Sequence, residues 1–368
     1  LQKFLEKIDE VKPDAIGLSA LLVSTSKQMQ YFIEHARKNN MSIPILCGGA
    51  AINSNYINRI AKDGGIYESG VFYCNTMFEG LKTMDTLVSN EKPKFLAQWK
   101  EKLESWKERS TIITDTTNLP KSNIKPVVPP TPPIIGEPIR LKSDQINMSE
   151  VWELIDKKSL FKLSWGLRGK AGADSEADHE TLLNEWKIRI IREKLFEPEI
   201  VYGYFKCHNK DRKLQVDNPN GTSVEFDFPR SSKSSHLCLT DYFGEDDIVA
   251  FQAVTVGNKV SDVIEKWNKE DKYADAYYLH GLAVEVAEAL AEWINRKIKS
   301  ELKLEKGGLR YSWGFPSCPD ILQHREVWKI LQPEKSGMVL DQESGQIIPE
   351  QSTAAIVVHH PESQYFVL

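Results

Sequence analysis

Arg310 stands in the stretch Gly307-Gly308-Leu309-Arg310-Tyr311-Ser312-Trp313-Gly314-Phe315-Pro316-Ser317-Cys318-Pro319-Asp320, the most unusual composition in the chain. Glycines and prolines interleaved with aromatic side chains suit a rigid irregular loop rather than a regular element. An arginine on such a loop presents a planar fork that matches a carboxylate bidentately, and backbone groups beside it can read a purine edge. A structural loop packed on a core fits the same composition. Upstream, Glu285, Glu288 and Glu292 share one face of a long helical pattern, opposite the apolar face of Leu282, Val286, Leu290, Trp293 and Ile294. An acidic wall facing a cationic ligand and an ordinary solvated face both fit that spacing.

Other residues suggest less chemistry. Gly48-Gly49-Ala50 follows the apolar run Ile43-Pro44-Ile45-Leu46-Cys47 and would let a ligand approach backbone closely, or simply make a turn. Ser19 and Thr25 flank the end of another apolar run, where hydroxyls commonly cap a helix. His359-His360 are adjacent and lack a cysteine or acid at ligand spacing, so they read as ordinary histidines rather than a metal pair. Cys318 has no partner histidine and acid that the sequence can locate, which predicts a buried inert thiol. Nothing here predicts a metal site or a catalytic nucleophile, and GxSxG, HExxH, Walker A and full GxGxxG patterns are absent from the sequence.

The elements that must position these residues fall into two kinds. The chain has 368 residues, 41% of them hydrophobic and 27% charged, which fits a folded protein of two to three domains. A net charge of -5 gives no general drive toward phosphate backbones or anionic membranes, so neither a nucleic-acid nor a membrane partner is expected. No uninterrupted apolar run reaches the length of a membrane span, and five dispersed cysteines without a CxxC pair predict reduced thiols and a soluble, cytoplasmic protein. Both termini fall inside structured patterns and look cut from a longer chain.

Up to about residue 88, apolar strands at Ile16, Ile45 and Val71 alternate with helical patterns, which predicts an α/β parallel sheet with ligands beyond the carboxyl ends of its strands. A charged helix over about 91–109 then leads away from the sheet. Prolines from Pro120 to Pro138 predict an extended, semi-stiff connector. The remainder places strands near 199–207, 214–216, 224–228 and 248–256, and helices near 150–163, 176–195, 260–269 and 274–302, an α+β arrangement. The expected division is thus 1–90, a linker of helix and prolines over 91–139, and 140–368.

These stretches, in this order, resemble the C-terminal part of cobalamin-dependent methionine synthases. Asp14-Ala15-Ile16-Gly17-Leu18-Ser19 with Ile43 to Ala50 is similar to the second half of the family's Rossmann-like cobalamin-binding domain. Leu309 to Asp320 resembles the loop of its activation domain that binds S-adenosylmethionine, and His360-Pro361-Glu362-Ser363-Gln364-Tyr365-Phe366 resembles the strand closing that site. The resemblance implies that Arg310 grips the ligand carboxylate while Asp156, Glu288, Phe315, Tyr365 and Phe366 line the groove. It places Ser19, Val23, Gly48, Gly49 and Thr76 against cobalamin, with Val23 and Phe315 standing where relatives carry threonine and tyrosine.

The resemblance further implies a methyltransferase that moves a methyl group from methyltetrahydrofolate through methylcobalamin to homocysteine. This segment would support reductive methylation of oxidised cobalamin, with flavodoxin or a flavoprotein reductase as electron donor. The family's DxHxxG segment, which would lie upstream of Ser19, has no counterpart in residues 1–18. The homocysteine and folate domains, with their zinc, are likewise not recognised here, so they are expected as parts of the same protein. The alternative of another class is a non-catalytic module that binds a nucleoside or a protein.

Overall fold

The computed structural model describes residues 2–20, 23–49, 52–106, 119–167, 176–218, 220–342 and 344–368. The chain forms two compact units, residues 1–115 and 116–368. The first runs α1 (Gln2–Val11), β1 (Ile16–Ser19), α2 (Val23–Lys38), β2 (Ile45–Gly48), α3 (Ser54–Lys62), β3 (Val71–Tyr73), α4 (Met77–Val88) and α5 (Lys92–Ser105). The strands form a parallel sheet in the order β1-β2-β3, with Ser19 beside Gly48 and Ile45 beside Val71. Two parallel crossovers stepping in one direction put α2 and α3 on the same face. There Tyr56 Oη on α3 donates to Ser26 O on α2. Phe32, Ile33, Ile45, Cys47 and Ile57 bury their side chains in this unit's core.

The expected departure of the helix after the sheet does not occur. α5 folds back, stacking Phe95 on Phe72 at 5.1 Å with Trp99 at 5.5 Å from the same ring. Phe95 and Trp99 are one helical turn apart, so they form an apolar stripe, and removing it from water outweighs extension into solvent.

The second unit is built on an antiparallel sheet. In chain order it has β4 (Ile139–Leu141), α6 (Met148–Glu153), a single turn α7 (Lys157–Ser159), α8 (Glu176–Glu193), β5 (Glu199–Lys210), β6 (Lys213–Asp217), β7 (Ser223–Asp227) and β8 (Asp247–Thr255). There follow α9 (Lys259–Lys269), α10 (Tyr273–Glu301), β9 (Leu309–Ser312), α11 (His324–Leu331), β10 (Val339–Leu340), β11 (Ile347–Ile348) and β12 (Ser352–Val358). The main sheet is ordered β7-β6-β5-β8-β12-β9, with β4 also on β5; β10 and β11 pair separately. Both faces are covered: Ile200, Tyr202 and Tyr204 of β5 pack with α10, while Val201 and Phe205 point into a second core with α11. β8 is buried along its whole length, as expected of a central strand covered on both faces.

Three expectations change here. The helix expected over 150–163 breaks into α6, α7 and a π-helical turn, Leu160–Ser164, because Asp156 caps a new start by accepting from the backbone of Lys158 and Ser159. The glycine-rich stretch is partly regular: Leu309–Ser312 is the edge strand β9, with Arg310 opposite Val357 and Tyr311 opposite Ile356. The strand expected over 360–366 is absent, since β12 ends at Val358 and Pro361, which has no N–H for a ladder, sits in a turn closed by Ser363 N on His360 O.

The prolines belong with the second unit. Gly136 N donates to Tyr204 O at 2.7 Å, and His360 Nε2 lies 2.9 Å from Lys125 O. The expected linker is therefore divided, its helix packing in the first unit and its proline segment in the second. Among the described residues no helix is long and apolar enough to cross a membrane.

Candidate functional site: the groove beside Arg310

β9 is an edge strand, so its free side borders a groove of about 620 Å³. Alternation along β9 buries Tyr311 and turns Arg310 to the other face, where its Nη2 lies 2.7 Å from Glu288 Oε2 on α10. The Arg310 side chain is 19% exposed and that of Glu288 44%, so the pair sits at the groove wall rather than in the core. Beyond β9 the chain reverses at Gly314, whose φ of +92° suits glycine, and Gly314 N donates to Cys318 O at 2.9 Å. Phe315 stands on the tip of this reversal, 61% exposed.

The opposite wall is the segment after the His360 turn, and hydroxyls hold it. Ser317 Oγ donates to Phe366 O at 2.7 Å, Ser231 Oγ donates to Val367 O at 2.6 Å, and Tyr311 Oη donates to Gln364 O at 2.8 Å. Tyr365 meets the Tyr311 ring edge-on at 5.3 Å and remains 66% exposed. Glu288, Arg310, Phe315, Tyr365 and Phe366 thus line one groove. Asp156 does not line it. It caps α7 and lies within electrostatic reach of Glu285, which Glu288 also influences.

Beneath the loop, Cys318 is buried, donates to Ser312 O, and has its thiol pushed well above the usual range by burial, which leaves little thiolate to react. His324 is also buried, edge-on to Trp313 at 5.4 Å, with Nδ1 2.8 Å from Gly345 O. Burial pulls its imidazole down to about 4. The unfolded chain takes up this proton near the ordinary histidine range while the folded chain resists until about pH 4, so stability falls as pH falls through that interval. Going from about pH 7.5 to about pH 5 is expected to cost about 2 kcal/mol from this group. Urea unfolding of wild type and His324→Gln across that range checks it, because equal pH slopes would remove His324 as the cause.

A sequence model of the vitamin B12 dependent methionine synthase activation domain matches residues 147–368, which contain every residue of this groove. The chain belongs to that family. Methionine synthase of Mycobacterium tuberculosis (strain ATCC 25618 / H37Rv) is 30% identical over 427 residues, and that of Mycobacterium leprae (strain TN) is 28% identical over 432 residues. The matches cover 98% and 100% of this chain but 35% of each relative, so the chain spans about a third of their length. Among solved structures, the MetH reactivation domain bound to AdoHcy has a TM-score of 0.55 at 20% identity, over 66% of this chain and 83% of that one. That likeness establishes the shared fold of the methionine synthase activation domain.

The other residues that the methionine synthase resemblance singles out lie in the first unit. Ser19 is exposed at the carboxyl end of β1, and Gly48 is beside it at the end of β2. Gly49 has a φ of +114°, and a Cβ there would fall 2.2 Å from Ala20 O, so only glycine lets the two strand ends close up. Thr76 Oγ1 caps α4 by accepting from Glu79 N at 3.2 Å, while Glu79 Oε2 accepts from Asn75 N, which commits that hydroxyl to the helix end. Val23 begins α2; its side chain and all of Ala50 lie outside the described residues. Sequence reasoning did not single out Ser231, Tyr311 or Ser317, whose hydroxyls hold the far wall. No periodicity marks such residues, because each meets the terminal segment only through the folded sheet.

Proposed function

We propose that the groove binds S-adenosylmethionine and that the chain works within a cobalamin-dependent methionine synthase, where bound S-adenosylmethionine serves reductive reactivation of the cofactor. The observation that carries this reading is the Arg310–Glu288 pair at the wall of a groove otherwise rimmed by Phe315, Tyr365 and Phe366. The ligand has a carboxylate, two cationic groups and a purine. Arg310 offers its remaining donors to the carboxylate, Glu288 faces the ammonium and sulfonium charges, and the exposed rings of Phe315 and Tyr365 cover the purine. The match to the activation-domain family and the AdoHcy bound to the solved MetH reactivation domain support the assignment.

Cobalamin is assigned to the carboxyl end of the first unit's parallel sheet, where ligands of such sheets sit and where Ser19 is exposed, while Gly48 and Gly49 let the strand ends there pack closely on the backbone of Cys74 and Ala20. When bound, cobalamin would supply a strongly nucleophilic cobalt, so the chain needs no general base of its own. Its residues bind, orient and cover instead: Arg310 fixes the ligand's carboxylate end and the aromatic rim excludes water. The proposed overall reaction is methyl transfer from 5-methyltetrahydrofolate to homocysteine in the cytoplasm. Its proposed partners are the homocysteine and folate domains of the same protein and a flavodoxin or flavoprotein reductase. Calorimetric titration of S-adenosylmethionine into the whole chain is expected to give saturable, one-to-one binding; a folded chain giving no heat of binding would overturn the assignment.

A further inference from the structure

The acidic face of α10 is not uniform. Glu285 is 8% exposed, whereas the Glu288 side chain, one turn on, is 44% exposed. Burying a carboxyl is costly unless it is hydrogen-bonded, and Glu285 is satisfied in an unusual way. Its Oε1 accepts from Ser159 Oγ and from Ser164 Oγ, both at 2.8 Å. These serines bracket the π-helical turn, a rare geometry frequent at functional sites, and the turn brings both hydroxyls to one oxygen. Gly281, one turn before Glu285, makes the close approach possible, since a Cβ there would sit 3.1 Å from Ser164 O. Trp165 Nε1 adds a third tie to Tyr278 O at 2.9 Å.

Ser159 has a second bond that decides what this tie controls. Its backbone N–H donates to Asp156 Oδ1 at 3.0 Å, so the turn held by Glu285 is the turn that presents the exposed carboxylate of Asp156. Asp156, Glu285 and Glu288 are near enough for the outer two to act on the middle one, and burial already raises the Glu285 carboxyl above its ordinary value. An isolated turn of three residues has no stability of its own, so something outside it must set its place.

We infer that Glu285 is a positioning residue: through Ser159 and Ser164 it holds the exposed carboxylate of Asp156 behind Glu288, outside the groove's lining but close enough to add to the negative field that Glu288 presents to a cationic ligand. This rests on the reading of the groove as an S-adenosylmethionine site and adds a determinant that does not line it. Glu285 need not touch the ligand, and what it requires is an acceptor oxygen rather than a charge.

The test is titration of S-adenosylmethionine into the whole chain as wild type, Glu285→Ala and Glu285→Gln, with thermal midpoints beside it. Glu285→Ala is expected to weaken binding at least about tenfold, while Glu285→Gln, whose amide oxygen can accept the same two hydroxyls, stays within about threefold of wild type. If Glu285→Ala does not fold, the Ser159→Ala/Ser164→Ala pair cuts the same tie and is expected to show the same loss. Unchanged affinity in Glu285→Ala or the serine pair would overturn the inference, as would equal loss in Ala and Gln variants, which would mark a direct role for charge. No binding by folded wild type would instead overturn the groove's assignment, and this inference with it.

Discussion

Asp241→Ala is expected to destabilise the second unit by about 3–5 kcal/mol, the cost typical of leaving a buried charge without its partner. Arg230 is 1% exposed, and its guanidinium grips Asp241 bidentately, Nη1 to Oδ2 at 2.6 Å and Nη2 to Oδ1 at 2.8 Å. Nη1 also donates to His236 O, and Cys238 N donates to Asp241 Oδ2, so the pair closes the loop between β7 and β8. Asp211 cannot substitute for Asp241, lying 3.6 Å from Nη2 with half its side chain in water. Urea unfolding checks the size of the effect, and the double variant Arg230→Met/Asp241→Leu is expected to regain most of the loss because no charge remains buried. A single variant within about 0.5 kcal/mol of wild type would show that water reaches Arg230 in solution. Ser231 follows Arg230 and holds Val367, so any Asp241→Ala protein that stays folded is also expected to bind ligand more weakly.

How much of this arrangement was legible beforehand depended on whether its cause was local. The strands at Ile16, Ile45 and Val71 and the long helix through Leu282 and Ile294 follow from apolar runs and periodicity, and the structure has them within a few residues. β9 was not legible, because glycine and proline content argued for an irregular loop, while its pairing with β12 depends on a strand more than forty residues later. The helix expected over 150–163 failed for a different reason: its periodicity was genuine, but Asp156 is a better cap than a mid-helix residue, and the shared acceptor Glu285 favours the π-helical turn. The same distant contact made Glu285 unreadable. By spacing it belongs with Glu288 and Glu292 on a solvated face, and only the packing of Ser159 and Ser164 against α10 takes it out of water.

Arg310→Ala is expected to weaken S-adenosylmethionine binding by about a hundredfold, or about 2.8 kcal/mol, without unfolding the chain. The two parts of that expectation have separate causes. Arg310 pairs with a carboxylate that is already 44% exposed, so its removal strands no buried charge, and exposed pairs of this kind contribute little to stability. A ligand carboxylate placed against the same guanidinium in a groove walled by Tyr365 and Phe366 is poorly hydrated, so the bond it loses is charge-assisted and costly to replace with water. Arg310→Lys keeps the charge but not the fork and is expected to recover only part of the loss. Removing the other partner separates this from a general change in the groove: a ligand analogue lacking the carboxylate should bind wild type weakly and gain no further penalty from Arg310→Ala. If instead the variant lowers affinity for both ligands by the same factor, Arg310 shapes the groove through Glu288 and does not hold the carboxylate.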